Sequence, residues 1–325
     1  MHHGDISPQI ALGLKELQKR IGAAKIPSSK LDEALNIATW NIREFGKTPR
    51  LEASLHFIAE ILGQFDLIAV TEVRDNLGDL GKVLRILGPY WSAVFSDYIV
   101  DAGGNRERIA YVYDKRAAVF TGLAAEADPP RKKTKSGEYV SAISWWRSPY
   151  IASFRAGNFD FVLVTAHIRW GSGEKARVAP LKLLAEWIDR RSKEKYTDDK
   201  DIILMGDFNI PKVDDELFQT ITSKGLEIPA ALRGVKHGSN LSKDKRYDQI
   251  LHYPVHTKSF TNHAGVLDFY AGGHGPLFPG VQMTKAEFTY QLSDHLPLWM
   301  QLDVDVEGER LDQIITAGPS SGRER

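Results

Sequence analysis

The chain has 325 residues, and its content of 42% apolar and 26% charged residues is ordinary for a globular protein with a sizeable core, in one large domain or two small ones. Its 42 basic and 42 acidic residues give a formal net charge of zero, which argues against nucleic-acid binding through bulk positive charge, although a local basic face is compatible with it. The absence of cysteine excludes disulfides, thiolate metal sites and cysteine nucleophiles.

Residues 1–35 are predicted to form an N-terminal helix and a linker that precede the main fold. Ser7 and Pro8 resemble a helix N-cap followed by a proline in the first turn, and apolar residues at helical spacing predict a helix over residues 8–22. This helix could pack on the main fold, mediate association or be flexible. The start "MHHGDISPQI" has no apolar signal-peptide core, and no apolar run reaches membrane-spanning length.

Residues 36–306 are predicted to form one α+β domain, in which short apolar runs alternate with helical patterns. The predicted strands contain "LNIATW", "DLIAVT", "SAVFSDYI", "RIAYVYD", "AAVFTGL", "SAISWW", "YIASFRA", "DFVLVTAH", "DIILMG", "YDQILHY" and "LPLWMQLDV", and helices are predicted near 51–64, 76–88, 174–194 and 214–224. This pattern favours two packed sheets covered by helices. Residues 127–139 are predicted to form a basic loop, and the polar residues 307–325 a flexible tail.

Polar residues collect where the predicted strands end. The runs end at Asn41, Glu72, His167 and the pair Asp207 and Asn209, while "YDQIL" begins at Asp248 and "YQLSDHLPL" carries Asp294 and His295. Because ligand-binding groups gather at the carboxyl ends of buried strands, we expect these residues to converge. Asp207 and Asn209 should point the same way, since side chains repeat every second residue along an extended chain.

Such a cluster is expected to hold a cation, because carboxylates so close together repel one another unless a cation lies among them. Oxygen ligands without thiolates favour Mg²⁺, with Mn²⁺ or Ca²⁺ as alternatives, and the histidines leave Zn²⁺ as a less favoured choice. Each residue alone has a simpler interpretation, such as a turn at Asp207 and Asn209 or a solvated charge at Glu72. The number of such positions, each beside an apolar run, favours a functional site.

Together these segments resemble the endonuclease/exonuclease/phosphatase superfamily, and within it they are most similar to the deoxyribonuclease I family. The segments that carry the resemblance are "IATWNIREFGKT", "LIAVTEVRDN", "NRERIAYVYDK", "WWRSPYIASF", "FVLVTAHI", "IILMGDFN", "YDQILHY" and "LSDHLPLWMQL", within residues 36–303. The resemblance implies a four-layered α/β/β/α sandwich of two mixed β-sheets flanked by helices. It also implies metal-dependent hydrolysis of a phosphodiester.

The resemblance assigns the acidic and amide residues to the metal and the phosphate. Glu72 would hold the metal with Asn41 beside it, and Asp294 would lie in the cluster of metal ligands and base. Asp207 and Asn209 would hold a metal or water and the scissile phosphate.

The resemblance assigns the histidines to proton transfer, which suits a side chain that titrates near neutral pH. His295 would be the general base for water, oriented by Glu107. His167 would be the general acid or a phosphate ligand, oriented by Asp248. A carboxylate behind a histidine fixes its tautomer and orientation.

Three arginines complete the implied site: Arg43 and Arg147 would contact phosphates, and Arg74 would enter the minor groove of DNA. The chain departs from the deoxyribonuclease I pattern in its lack of cysteine, in the basic loop at 127–139 and near Asn105, where the aromatic residue that accompanies the groove arginine is replaced.

The leading hypothesis is a Mg²⁺-dependent DNA endonuclease of low sequence specificity that uses a histidine-activated water and acts away from membranes. The alternative keeps the chemistry and changes the substrate to RNA, abasic DNA, an inositol phosphate or a lipid phosphodiester. A non-catalytic binding module would have lost one of the polar positions, and none is missing. The lack of cysteine and of a signal peptide favours a cytoplasmic location, while a secreted one stays open if a leader was removed. The sequence does not specify the oligomeric state.

Overall fold

Two mixed β-sheets pack face to face in the computed structural model, which describes residues 1–98, 100, 105–129, 131–141, 145–197 and 199–317. The first sheet has the strand order β12 (Phe260–Val266), β13 (Leu298–Asp303), β1 (Ala34–Phe45), β2 (Leu67–Arg74), β4 (Glu107–Asp114) and β3 (Trp91–Phe95). The second has the order β11 (Asp248–His252), β10 (Ile202–Asp207), β9 (Phe159–His167), β8 (Tyr150–Ala156) and β5 (Val119–Glu126). Strands β6 (Arg131–Lys133) and β7 (Tyr139–Ser141) form a separate hairpin.

Helices cover the outer face of each sheet. The first sheet is covered by α1 (Pro8–Ala23), α2 (Glu52–Leu62), α3 (Gly78–Leu87) and α7 (Lys285–Gln291), and the second by α4 (Lys175–Lys193) and α5 (Glu216–Thr222). The short α6 (Ala230–Arg233), a 3-10 turn (Gly275–Leu277) and α8 (Glu307–Ala317) complete the described elements. The predicted α+β class and α/β/β/α sandwich are confirmed. Within the described residues, no helix has the length and apolar character needed to cross a membrane.

The alternation of side chains along β1 divides the apolar residues between two cores. Ile37 joins the cluster between the sheets, whereas Ala38 joins the cluster beneath the helices of the first sheet. Tyr111 of β4 crosses between the sheets, because its ring stacks on Tyr150 of β8 at 5.4 Å between centroids and its hydroxyl donates to the Tyr150 carbonyl at 2.9 Å. These contacts stabilise the face-to-face packing that positions the two sheet edges together.

The N-terminal helix packs on the main fold, which is the first of the three alternatives left by the sequence. Leu14 and Leu17 of α1 are buried in the same cluster as α2. The Arg20 guanidinium, also buried, donates to the carbonyls of Phe269 and Gly273, both at 2.8 Å. Helix α1 is therefore tied to a loop near the other end of the chain.

The structure differs from the expectations in several segments. A helix, α8, forms at Glu307–Ala317 where a flexible tail was predicted, because Leu311, Ile314 and Ile315 follow a helical spacing that the polar composition concealed; residues 318–325 lie outside the described residues. Strand β12 was not predicted, since "TNHAGV" lacks apolar alternation, and neither was α7 with its capping box at Thr284 and Glu287. Of the predicted strand "SAISWW", residues 142–144 lie outside the described residues, as does residue 99 of "SAVFSDYI".

Strand pairing brings the predicted site residues to one edge of the sandwich. Strands β1 and β2 run parallel, as do β9 and β10, where His167 lies opposite Asp207. The antiparallel neighbours of these strands begin at the same edge, so Asp248 at the start of β11 lies opposite Asp207 and Glu107 at the start of β4 lies opposite Arg74. The ends of parallel strands and the beginnings of antiparallel ones therefore meet there.

Gly206 allows β10 to approach β9 directly before Asp207. Its φ is +141°, and a Cβ at this position would lie 2.2 Å from the carbonyl oxygen of Ala166 in β9. Gly122 in β5 also has a positive φ, +113°, but a Cβ there would meet no atom within 4 Å. Both glycines thus have a positive φ, but only at Gly206 would a Cβ collide with a neighbouring strand.

We expect Gly206→Ala to lower the free energy of unfolding by roughly 1–3 kcal/mol more than Gly122→Ala does. Both substitutions strain the backbone, at about 1–3 kcal/mol, and Gly206→Ala also overpacks the β9–β10 contact, at about 1–3 kcal/mol. Urea unfolding of both variants measures the difference. Equal losses would show that β10 does not require close approach at this residue.

Candidate active site

One carboxylate oxygen lies between two imidazoles at the shared sheet edge. Asp207 is 2% exposed, and its Oδ2 lies 3.6 Å from His167 Nε2 and 3.7 Å from His295 Nε2. The same oxygen accepts a hydrogen bond from Asn41 Nδ2 at 3.1 Å. Four residues from β1, β9, β10 and the segment before β13 therefore meet around one atom, as the sequence predicted.

Asp207 and Asn209 form a turn, and Asp207 also faces the two histidines. The backbone N–H of Asn209 donates to Asp207 Oδ1 at 2.9 Å, which is the local bond of an Asx turn. Asn209 has a φ of +53°, which asparagine tolerates better than most residues, and its Nδ2 donates to the Ile168 carbonyl at 2.7 Å. The turn thus leaves Asp207 Oδ2 facing the histidines.

A bulge in β2 directs Glu72 into the site. The register between β2 and β4 shifts between Val70 and Val73, and Glu72 within this shift has a φ of +61°. Its Oε1 accepts from Asn41 Nδ2 at 2.9 Å, and its Oε2 accepts from the backbone N–H of Glu44 at 2.8 Å. Glu72 therefore lies beside Asp207 as a second carboxylate of the site.

Each histidine has a carboxylate behind it, but the pairing is opposite to the predicted one. His295 Nδ1 lies 2.8 Å from Asp248 Oδ2, and His167 Nδ1 lies 2.8 Å from Glu107 Oε2. The predictions that Glu107 orients His295 and that Asp248 orients His167 are wrong. The segment before β11 bridges to the segment before β13 through Asn240 and His295, which places Asp248 beside His295, while β4 carries Glu107 to the end of β9.

These pairs shift the pKa values of both histidines upward. Burial lowers the pKa of His295, but the carboxylates of Asp248 and Asp207 outweigh it and hold the pKa well above its usual value. Burial and Arg147 lower the pKa of His167, and Glu107 outweighs them. Positive charge placed near Asp207 would lower both pKa values, because it offsets the carboxylate that favours the imidazolium forms.

The carboxylates behind the histidines respond in opposite directions. Burial raises the pKa of Glu107, but His167 and Arg147 outweigh burial and lower the pKa to about 2. Burial raises the pKa of Asp248, and His295 opposes this only in part. The histidine and the arginine together therefore favour the anionic form of Glu107.

Arg147 and Arg74 lie close to the Glu107 side of the site. Arg147 Nη2 donates to Glu107 Oε1 at 2.8 Å, and its buried Nε and Nη1 have no hydrogen-bond partner among the described residues. Arg74 is buried, with Nη2 3.5 Å from Asn105 Oδ1 and Nη1 3.7 Å from Glu44 Oε1. The role of Arg147 at a phosphate and that of Arg74 in a groove both stay predictions.

Arg43 and Asp294 lie at the opposite margin. The Arg43 guanidinium donates to Thr289 Oγ1 at 2.6 Å and lies 4.0 Å from the ring centroid of Tyr290. The Asp294 side chain is 45% exposed, and its Oδ2 lies 3.7 Å from Arg43 Nη1. The assignment of Asp294 to a metal stays a prediction, as does that of Arg43 to a phosphate.

The central residues fit a cation bound through oxygen and nitrogen. Ligand atoms of Asp207, Asp248 and His295 all lie within 4.8 Å of one another. Two buried acceptors at this edge, Asn41 Oδ1 and Asp248 Oδ1, have no partner among the residues that the structure describes. Unpaired acceptors among converging carboxylates are what a cation would satisfy. The identity of the metal does not follow from these atoms.

Sequence reasoning missed the side chains that hold the backbone of His295 and Asp248 in place. Ser293 Oγ donates to the Asn41 carbonyl at 2.5 Å and accepts from the His295 backbone N–H at 2.9 Å. Trp40 Nε1 donates to the His295 carbonyl at 2.9 Å, and Ser239 Oγ accepts from the Asp248 backbone N–H at 3.1 Å. Ser293 and Trp40 belong to the motifs "SDH" and "TWN", so their proximity to the site was the available signal.

Known proteins share sequence similarity with this chain. The sequence profile described as Endonuclease/Exonuclease/phosphatase family matches residues 38–295. A deoxyribonuclease of Thioalkalivibrio sp. (strain K90mix) is 26% identical over 315 residues, which cover 90% of this chain and 76% of that protein. Deoxyribonuclease-1 of Canis lupus familiaris is 30% identical over 191 residues, which cover 54% of this chain and 60% of that protein.

Solved structures of low sequence identity share the fold. An endonuclease/exonuclease/phosphatase family protein from Bacteroides thetaiotaomicron superposes with a TM-score of 0.56 at 18% identity, over 84% of this chain and 96% of that one. A mannosyl-6-phosphatase from the same organism superposes with a TM-score of 0.50 at 17% identity, over 82% of this chain and 98% of that one.

The corrected pairing predicts which histidine responds to which carboxylate. We expect Glu107→Gln to lower the pKa of His167 and leave that of His295 unchanged, because each imidazolium is favoured by its own carboxylate. Asp248→Asn should do the reverse. NMR titration of the histidine ring protons in metal-free protein measures both values, and each variant is the control for the other. A lowered His295 pKa in Glu107→Gln would instead support the pairing predicted from the sequence, in which Glu107 orients His295.

Proposed function

This chain belongs to the endonuclease/exonuclease/phosphatase family of hydrolases, and we propose that it is a divalent-metal-dependent phosphodiesterase that cleaves DNA with little sequence preference. The observation that carries the proposal is the Asp207 carboxylate between two histidines, each backed by its own carboxylate. Similarity to deoxyribonucleases at 26% and 30% identity supports DNA as the substrate.

His295 is the proposed general base. In its neutral form, its Nε2 takes a proton from the attacking water, while Nδ1 is held by Asp248 at 2.8 Å. Asp248 fixes the imidazole orientation and stabilises the imidazolium that forms. The Nδ1–Asp248 bond therefore leaves Nε2, which faces Asp207, as the nitrogen available for proton transfer.

His167 is the proposed acid or phosphate ligand. Its raised pKa favours the protonated form, which can donate from Nε2 to a phosphate oxygen or to the leaving oxygen. Glu107 holds Nδ1, and Arg147 on the far side of Glu107 offers the same phosphate two nitrogens that have no partner within the described part of the chain. Asn209 positions Asp207 through its backbone N–H.

We assign the cation to Glu72, Asp207 and Asn41. Glu72 and Asp207 are central carboxylates that no histidine Nδ1 engages among the described residues, and both accept from Asn41, whose buried Oδ1 has no other described partner. When bound, Mg²⁺ supplies positive charge that stabilises the charge developing on the phosphate, with Mn²⁺ or Ca²⁺ as alternatives. Asp294 lies next to His295 and would support the same charge from the margin.

A second candidate keeps this chemistry and changes the substrate to RNA, abasic DNA, an inositol phosphate or a lipid phosphodiester. It is favoured by the burial of Arg74, which lies between Glu44 and Asn105 and would have to leave that position to enter a groove. The zero net charge also supports it, because duplex binding draws heavily on positive charge. Proteins of this fold include a mannosyl-6-phosphatase.

We expect the protein to nick supercoiled plasmid DNA in Mg²⁺ and to stop when the metal is chelated. His295→Ala should lower the rate by roughly 10²–10⁴-fold, because it removes the base. His263→Ala, at an exposed histidine of β12, is the matched control and should retain full activity. Wild-type cleavage that persists in chelator would contradict metal dependence, and an active His295→Ala would contradict the assigned base.

A substrate panel separates the two candidates. DNA, RNA, abasic DNA, an inositol phosphate and a lipid phosphodiester are offered separately in Mg²⁺, Mn²⁺ and Ca²⁺, with Asp207→Ala measured beside the wild type. We expect the highest kcat/KM on DNA and a loss of every activity in Asp207→Ala, since that carboxylate lies at the centre of the site. Turnover of a non-DNA substrate at a higher kcat/KM would select the second candidate.

A further inference from the structure

One buried arginine near the site has no carboxylate or hydrogen-bond acceptor among the described residues. Arg177, in the first turn of α4, is 2% exposed, and its buried Nε and Nη1 have no hydrogen-bond acceptor among the described residues. None of the carboxylates that the structure describes forms an ion pair with it. A buried guanidinium without an acceptor is costly, so its retention points to an anion that binds from outside the chain.

A continuous series of ring contacts leads from Arg177 to the proposed base. The Arg177 guanidinium carbon lies 4.5 Å from the centroid of the Trp170 ring. The Trp170 and Tyr247 rings meet edge to face at 5.4 Å between centroids, and Tyr247 lies 5.9 Å from the His295 ring. Arg177 is therefore separated from His295 by two side chains, at the rim of the same site.

Trp170 offers an apolar surface at this rim. It is 53% exposed, although the guanidinium covers part of it. Exposed tryptophans beside a basic group are the usual stacking surface for nucleobases, because every base has a flat π-face. Tyr247 is half-buried between Trp170 and His295, which joins this surface to the reaction centre.

We infer that Arg177, Trp170 and Tyr247 form a subsite for the nucleotide next to the scissile phosphate. Arg177 binds the phosphate of that neighbouring nucleotide, and Trp170 stacks on its base. This inference rests on the proposed function, because it takes the scissile phosphate to lie at His295 and Asp207. Since a base must leave its own stack to lie on an indole, the subsite favours an unpaired nucleotide over one in a regular duplex.

A purely structural role for Arg177 would make a different prediction about stability. If its packing on Trp170 serves only to hold the loop before α4, Arg177→Met should lower the melting temperature and leave ligand binding unchanged. If the guanidinium waits for an anion, the same variant removes an unpartnered buried charge, so its melting temperature should be unchanged or higher while binding weakens.

The test is a binding cycle that varies the protein and the ligand together. Thymidine 3′,5′-bisphosphate, thymidine 3′-monophosphate and thymidine 5′-monophosphate are titrated by calorimetry in Mg²⁺ into wild type, Arg177→Met and Trp170→Ala. Arg190→Met is the matched control, since it removes an exposed arginine from the last turn of the same helix. All variants are also melted.

We expect Arg177→Met to weaken bisphosphate binding roughly tenfold or more, as for the loss of a hydrogen bond to a charged group. Binding of the monophosphate that lacks the phosphate bound by Arg177 should weaken little. Trp170→Ala should weaken all three nucleotides by roughly 5-fold or more, and Arg190→Met none. Removing Arg177 and removing one phosphate should be non-additive, because both delete the same contact.

Additive losses, or bisphosphate binding within twofold of wild type in Arg177→Met, would overturn the inference. If Arg177→Met is unfolded at the assay temperature, Arg177→Gln, which also removes the charge, is used in the same cycle, and wild-type bisphosphate affinity in that variant would overturn the inference equally. The outcome is distinct from that of the proposed function, because binding is measured without turnover: a protein that cleaves no phosphodiester but shows the Arg177–phosphate coupling retains the subsite and loses the nuclease.

Discussion

Repulsion among carboxylates is the constraint on which this site depends. Glu72, Asp207 and Asp248 converge at one edge of the sandwich, where Asp207 and Asp248 are buried and little water screens their charge. The two histidines offset part of the charge, which is why their pKa values rise. The unpaired oxygens of Asn41 and Asp248 show that the described side chains alone do not complete the compensation. A bound cation would complete the compensation of the carboxylate charge, and the same cation would attract the negative charge of a phosphate.

The sandwich allows such a cluster because its apolar strand interiors, rather than the acidic groups, supply the stability. Each sheet places its polar residues at strand ends while the strand interiors remain apolar, so the cost of gathering like charges is confined to one edge. Local devices then aim the side chains: the bulge at Glu72, the turn at Asn209 and the close approach of Gly206 to Ala166. With no cysteine, this apolar core stands in place of any covalent cross-link.

The sequence indicated which residues converge at this edge, but not how the carboxylates and histidines pair there. Asn41, His167 and Asp207 could be predicted because each follows an apolar run, and parallel strands end at a common edge. Which carboxylate faces which histidine depends on how the two sheets superpose, and the chain order of Glu107 and Asp248 does not encode that. Strand β12 was missed because its residues show no apolar alternation, and helix α8 was missed because its three spaced apolar residues lie in a polar segment.

Buried arginines illustrate how a bracing side chain can be told from one that binds a ligand. Arg20, Arg50 and Arg246 each donate to at least two backbone carbonyls, so their charge is used within the fold. Arg177 is as buried as these, yet it donates to no described acceptor. Its guanidinium instead lies against Trp170, next to the ring that contacts His295. Sequence alone presents these four as arginines near apolar residues, and hydrogen bonds to backbone carbonyls distinguish the three braces from Arg177. A fifth buried arginine, Arg74, likewise donates to no backbone carbonyl among the described residues and lies at the same site.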